Sequence, residues 1–287
     1  MSGSTAQRFP DGRLHLQHGP IDCIVEAWGE AAEVEAAYAQ AVHRFEDILP
    51  MLVSELSILR QPLTQVFPLA RGAVARRMIA ATWPYRQVFI TPMAAVAGAV
   101  ADELLAALVC GRRLDKACVN DGGDIALHLN PYAQFEVGIA TDPRILSLDG
   151  GLSIRAGDPV RGIATSGWRG RSQSLGIADA VTALAGTAAA ADAAATLIAN
   201  AVNVEHTAIR RMPARAVKED SDLGELAVTV AVGELPPDAI NAALDCGRDA
   251  AQTLHSRGLI HAAYLGLRGQ WRILPAPAAT TLAARAC

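Results

Sequence analysis

Between Ile125 and Ile154 the apolar residues fall on alternate positions: Ile125, Leu127 and Leu129, then Val137 and Ile139, Leu146 and Leu148, and Leu152 and Ile154, with Gly or Pro between the runs. A period of two puts every second side chain on one face of a pleated strand, so this stretch predicts a sheet of short strands. On either side the period lengthens. Over residues 31–59, Val34, Ala37, Tyr38, Ala41, Val42, Phe45, Ile48 and Leu49 recur at three- and four-residue steps, the spacing of one helix face, and Pro50 is expected to bend or divide that helix. Residues 94–110 are almost entirely apolar apart from Asp102 and Glu103, which predicts a helix buried on most sides, with Gly98 open to a close neighbour. Residues 13–28 alternate about Gly19-Pro20, as an opening hairpin does. Further along, residues 184–203 return to helix, 226–232 to strand and 237–255 to helix, and 260–274 read as a closing hairpin around Gly269. Strands grouped in runs and separated by long helices argue α+β rather than a regular βαβ alternation.

The 287 residues are 51% hydrophobic and 19% charged, which supports a large core and excludes a disordered chain. No linker offers a place to cut, so one domain is expected over residues 1–274, followed by a disordered tail at 275–287 rich in Ala, Pro and Thr. Twenty-five Lys and Arg against 29 Asp and Glu leave a net charge of −4, which removes the broad cationic surface that nucleic acid requires. Aromatics are scarce at 5% and alanine is abundant, so helices are expected to meet through small side chains, within one subunit or across a homo-oligomer. The five cysteines are scattered without a CxxC pair, and the opening residues carry no apolar signal-like stretch. The run 183–201 is interrupted by Asp192 and reads as a buried helix rather than a membrane span. The expectation is a reduced, cytoplasmic protein with neither nucleic-acid nor membrane partners. The seven histidines form no HxH or HExxH, and neither GxSxG nor GxxxxGK[ST] occurs, which weighs against zinc, hydrolase and P-loop chemistry.

Three constellations remain. Asn120-Asp121-Gly122-Gly123-Asp124 sets two glycines among polar residues before an alternating strand; such glycines turn backbone N–H groups toward one ligand or simply form a tight turn. The loop from Gly162 to Arg171 carries Thr165, Ser166, Gly167, Arg169 and Arg171, donors that suit a phosphate or keep a solvated loop soluble. On the alanine-rich helix, Asp192 and Thr196 lie four positions apart and share a face. An acid among alanines needs a partner, either a backbone group or a hard cation such as Mg²⁺, which is content with few protein oxygens.

In that order, Asn120-Asp121-Gly122-Gly123-Asp124-Ile125, Ala164-Thr165-Ser166-Gly167 and Ala191-Asp192 with Thr196 resemble the ApbE-like family of FAD-dependent FMN transferases. Through His18-Gly19-Pro20-Ile21-Asp22, residues 92–98, Ser174-Leu175-Gly176-Ile177-Ala178-Asp179-Ala180-Val181 and Asp222-Leu223-Gly224 the chain is similar to the ApbE-related UPF0280 group over nearly its whole length. The resemblance implies an ApbE-like mixed fold of short-stranded sheets packed with long Ala-rich helices. It implies Asp192 and Thr196 as Mg²⁺ ligands, with Asp192 also orienting or deprotonating an acceptor. Asn120, Asp121, Gly122, Gly123 and Asp124 would line a flavin site, with Thr165, Ser166 and Gly167 near ribose or phosphate. The chain departs from the transferases in two segments. The His-x-x-Asp-Pro-x-Thr-Gly stretch is replaced by residues 172–179, with Asp179 at its end, and an Ala-Lys-Gly stretch by Ala97-Gly98-Ala99.

The expected function is therefore a cytoplasmic, Mg²⁺-dependent enzyme acting on FAD or a related nucleotide-containing cofactor, with FMN passing to a Ser or Thr hydroxyl of an acceptor protein and AMP leaving. The departures motivate two alternatives: an enzyme of the same fold acting on a different small metabolite of cofactor biosynthesis, and a non-catalytic flavin- or nucleotide-binding module.

Overall fold

The opening hairpin forms about Gly19-Pro20, in a computed structural model that describes residues 3–139, 150–274 and 282–284. The alternation at Leu146 and Leu148 lies outside the described residues, as do 275–281 and 285–287 of the tail. The chain groups into two compact units. Unit 1 comprises Met1–Gln134, Arg155–Ala164 and Gly186–Ala193; unit 2 comprises Phe135–Ile154, Thr165–Ala185 and Ala194–Cys287.

In unit 1, β1 (Thr5–Arg8), β2 (Leu14–His18) and β3 (Ile21–Gly29) lead into α1 (Ala31–Ser54), α2 (Leu56–Leu59), α3 (Ala73–Thr82) and α4 (Val96–Val109), and β4 (Leu114–Asp121) and β5 (Asp124–Leu129) follow. These five strands pair antiparallel in sequence order. Leu14 and Leu16 of β2, Cys23 and Val25 of β3, and Ala117 and Val119 of β4 are buried, and α1 and α4 pack on the sheet. This is the one-face burial that a period of two encodes.

Pro50 does not divide α1. The helix continues to Ser54 and buries residues on both sides of the proline, Ile48 and Leu52 among them, which offsets the one missing backbone bond. It ends at Glu55, whose carboxylate accepts the backbone N–H groups of Arg71 at 2.6 Å and Gly72 at 2.9 Å. The segment Pro92–Val109 is long and apolar enough to cross a membrane by composition, yet half of it is buried and both its acids are engaged within unit 1. Glu103 accepts the Nε–H groups of Arg44 from α1 and Arg77 from α3, each at 2.9 Å, and Asp102 bonds to the start of a later helix. Pro92–Val109 is a core segment.

The chain continues through β6 (Gln134–Ile139), β7 (Gly150–Arg155), β8 (Gly162–Ser166), β9 (Ala180–Ala185), α5 (Ala188–Ala201), β10 (Ile209–Pro213), α6 (Ala214–Val217), β11 (Ala227–Val232), α7 (Pro237–Ser256), β12 (Ala262–Leu267), β13 (Gln270–Leu274) and β14 (Leu282–Ala284). Residues 162–164 of β8 and 188–193 of α5 belong to unit 1, where Ile163 pairs with Ile125. Within unit 2, β12 lies between β9 and β13, all antiparallel, with α7 against β12 and β13. β10 and β11 form a separate pair, and β7 lies between β14 and β6 in a third small sheet.

Two expectations change here. The alternating runs do not share one sheet, because β5 joins β4 while β6 and β7 pair elsewhere. A period of two identifies a face, not a neighbour. The helix expected from residue 184 starts at Ala188, because Ala180–Ala185 is a strand with all six residues buried. A strand covered on both faces shows no alternation, so its alanines read as helix.

Candidate functional site

The segment from Asn120 to Asp124 closes the β4–β5 hairpin. Asp121 and Asp124 are its last paired residues, and Gly122 and Gly123 between them adopt φ of +65° and +112°, a left-handed backbone that favours glycine. Asn120 Oδ1 accepts the Gly123 N–H at 2.8 Å, so the segment is a tight turn and the Asn side chain helps build it. The same turn leaves two carboxylates directly opposite each other and nearly buried, Asp121 at 4% and Asp124 at 8% exposure. The backbone N–H of Asp22 reaches Asp121 Oδ1 at 3.4 Å. Beyond Gly123 the turn is open: a Cβ there would meet nothing within 4 Å.

Asp192 stands on the part of α5 that belongs to unit 1. Its Oδ2 accepts the Gly98 N–H at 3.1 Å, and the Ala97 N–H also donates to the carboxylate. Gly98 makes this approach feasible, since a Cβ there would stand 2.3 Å from the Ala188 carbonyl oxygen. Burial pushes the Asp192 carboxyl well above the usual carboxylate range; the like charges of Asp124 and Asp121 push it further, against the pull of the two N–H groups. The backbone contact that an enclosed acid can be expected to find is therefore present, and the two side chains that raise its carboxyl are both acidic.

Asp102 holds the start of the same helix. It accepts the N–H of Ala188 on Oδ1 at 3.0 Å and that of Ala189 on Oδ2 at 2.9 Å, while Thr187 Oγ1 accepts the Ala190 N–H at 3.2 Å. Three of the four unpaired donors at a helix start are thus satisfied. Burial raises the Asp102 carboxyl, and the Ala189 and Ala188 N–H bonds oppose it. The sequence marks Asp102 only as an acid in an apolar helix, the same signal that singles out Asp192; nothing in the spacing assigns it to a cap 86 residues away. Thr196 follows Asp192 by one turn of α5 and is half-buried. Among the described residues, no three His, Cys, Asp or Glu side chains come together to hold a metal ion.

In unit 2, the Thr165 hydroxyl lies 2.8 Å from that of Thr182. Gly167 backs onto Asp179, whose carbonyl oxygen would stand 2.6 Å from a Cβ. The Asp179 carboxylate accepts the Arg169 Nε–H at 2.8 Å, the Trp168 indole N–H at 3.2 Å and the Arg268 backbone N–H at 2.6 Å. Arg169, a candidate phosphate donor in the sequence, spends its guanidinium on this acid and on the face of Trp168. Ser166 is half-buried, and Arg171 is exposed.

A family model described as AbpE bacteria matches residues 6–273. The chain belongs to this ApbE-like family. Its relatives include UPF0280 proteins of Methanothermobacter thermautotrophicus, 40% identical over 119 residues (41% of this chain and 45% of the relative), and of Methanoculleus marisnigri, 39% identical over 154 residues (52% and 60%). The ApbE-like chain spans about half the length of the curated relatives it matches. Among solved structures it is similar to an ApbE protein from Thermotoga maritima, with 13% identity, 95% and 97% of the two chains covered and a TM-score of 0.44. It is also similar to the Pseudomonas stutzeri flavinyl transferase ApbE in its apo form, with 10% identity, 96% and 95% covered and a TM-score of 0.45.

The UPF0280-like segments of the ApbE-like chain have structural roles in their own units. His18 is buried edge-on against Phe45, and the Asp22 carboxylate lies 3.0 Å from His15 Nε2. Gly176 lies where a Cβ would strike the Ala199 carbonyl, and Asn200 Oδ1 accepts the Leu175 N–H at 2.9 Å.

Proposed function

We propose that this ApbE-like chain is a cytoplasmic enzyme that binds FAD or a related nucleotide-containing cofactor together with Mg²⁺, and that it passes FMN to a Ser or Thr hydroxyl of an acceptor protein. In that reaction the acceptor oxygen bonds to the phosphorus of the FMN half and gives up its proton, which Asp192 would take, while the pyrophosphate bond breaks and AMP leaves with the electron pair. The carrying observation is Asp192, whose carboxyl group is held by the Gly98 and Ala97 N–H groups and raised by burial and by the like charges of Asp124 and Asp121. Such an oxygen set fits a hard divalent cation that keeps water and phosphate among its ligands. Asp192 and Thr196 would hold it, and when bound it would stabilise charge on the phosphate oxygens.

The chain's own residues do the rest. Gly98 and Ala97 fix the Asp192 carboxylate, Asp102 anchors the helix that carries it, and the open Gly122-Gly123 turn lets a ligand approach the backbone. The test is calorimetry of the protein with FAD, with and without Mg²⁺, alongside an assay for AMP, on the wild type and on Asp192→Asn. Mg²⁺-dependent binding that the variant loses supports the reading; binding indifferent to both changes removes it. The mutual pairing of Arg169 and Asp179 favours a second reading, the same fold acting on a different small metabolite, because it occupies a candidate phosphate donor. Under that reading FAD is not consumed, and a metabolite library yields the ligand.

A further inference from the structure

Beyond this chemistry, unit 1 carries an apolar surface that the proposed reaction does not use. The loop between α2 and α3 exposes Val66 at 76%, Phe67 at 48% and Leu69 at 85%, and the segment before α4 exposes Val88 at 55% and Phe89 at 41%. The two stretches run side by side: the Leu63 N–H donates to the Ile90 carbonyl at 2.9 Å, the Gln65 and Gln87 side chains meet at 3.5 Å, and Phe67 packs edge-on against Trp83 at 4.9 Å. Single exposed apolar residues are ordinary; a group of them on two adjoining loops marks a contact surface.

The segment that forms this surface is rich in arginine. From Glu55 to Thr91 the chain has five arginines, Arg60, Arg71, Arg76, Arg77 and Arg86, of which Arg77 is paired with Glu103, and one acid, Glu55, whereas the whole chain carries −4. Glu55 is committed to the Arg71 and Gly72 N–H groups. Arg71 and Arg76 are exposed, and Arg86 lies over the Trp83 ring at 4.6 Å. Two copies meeting face to face would bring these cationic rims together, which opposes self-association through this surface. The loops also satisfy part of their own backbone, with the Val66 N–H on Thr64 Oγ1 and the Val88 N–H on the Tyr85 carbonyl, as apolar tips entering a dry medium require.

We propose that this face docks onto an anionic lipid surface, with Val66, Phe67, Leu69, Val88 and Phe89 entering the interface and the arginine rim meeting the headgroups. Apolar burial and electrostatic attraction are the two contributions that peripheral membrane binding combines. Such docking would run against the sequence expectation of no membrane partner. The experiment is flotation of the full chain with vesicles of pure phosphatidylcholine and of equal parts phosphatidylcholine and phosphatidylserine, at low and high salt, with sedimentation in parallel. The expected result is binding to the anionic vesicles only, weakened by salt, and weakened about tenfold or more in Leu69→Ser, which removes one large apolar side chain from the contact. A second variant, Arg71→Gln, should lose less affinity and show a weaker salt dependence. Circular dichroism melting checks that both variants fold, as substitution at exposed positions predicts. No binding to anionic vesicles, or binding that Leu69→Ser leaves unchanged, overturns the proposal. So does a dimer, or a complex with an acidic protein, that forms through this face while vesicles do not bind.

Discussion

Asp179 in unit 2 and Asp192 in unit 1 are both partly enclosed acids, yet their partners differ. Asp179 collects an arginine guanidinium, an indole N–H and a backbone N–H, so its charge is matched by its own chain. Asp192 has backbone N–H donors and two neighbouring acids, and burial and repulsion together raise its carboxyl well above the usual range. The comparison separates an acid that locks a loop through matched donors from one whose charge is opposed by burial and by its acidic neighbours.

The largest expected effect tests the first half of that contrast. Asp179→Ala strands Arg169, Trp168 and the Arg268 N–H, and should cost about 3 kcal/mol in urea unfolding. A cost within experimental error would mean that the loop does not depend on this acid. Gly98→Ala should cost about 2 kcal/mol and lower Mg²⁺-dependent ligand binding together with stability, since the new Cβ drives α4 off the Ala188 carbonyl and with it the donor that Asp192 uses. Calorimetry and thermal melting on the same sample check both effects.

Glu103 sharpens the contrast inside unit 1. Burial raises its carboxyl, but the Arg77 and Arg44 bonds outweigh burial, so it lies below the ordinary glutamate value. With the folded value depressed, its stabilisation is full above the unfolded value of about 4.3 and is lost as pH falls through the folded one. Glu103→Gln should therefore cost about 1.5 kcal/mol at neutral pH and progressively less in acid, read from urea melts across pH.

Asp192 has the opposite sign. Its folded value is raised, so its contribution is fully present below the unfolded value of about 3.9 and is lost as pH rises through the folded value. Asp192→Asn keeps an acceptor for the Gly98 N–H and removes the charge, so without ligand it should be more stable than the wild type at neutral pH by about 1 kcal/mol. The gap should close toward acid pH, and added Mg²⁺ should stabilise only the wild type. A variant that is less stable at neutral pH would show that the charge of Asp192 is already matched within the fold.

Much of this was legible in the chain. The two-residue period of β2 and β3 placed their faces, and the three- and four-residue steps of α1 placed that helix. Gly122-Gly123 and Gly269 marked turns because few other residues accept a left-handed backbone. Glycine spacing and an acid among alanines singled out the residues of the family resemblance, and Gly98 as a point of close approach.

What the sequence withheld has one physical cause. Period and composition report how a residue relates to its own element, whereas pairing and charge matching depend on residues far along the chain. Nothing in Ala180–Ala185 distinguished a doubly covered strand from the helix that follows it. Asp102, Asp179 and Asp192 are alike as acids beside apolar residues, and only tertiary structure made the first a cap on the Ala188 and Ala189 N–H groups. It made the second the anchor of a loop and left the third among acids, because the donors that reach each carboxylate are supplied by distant segments.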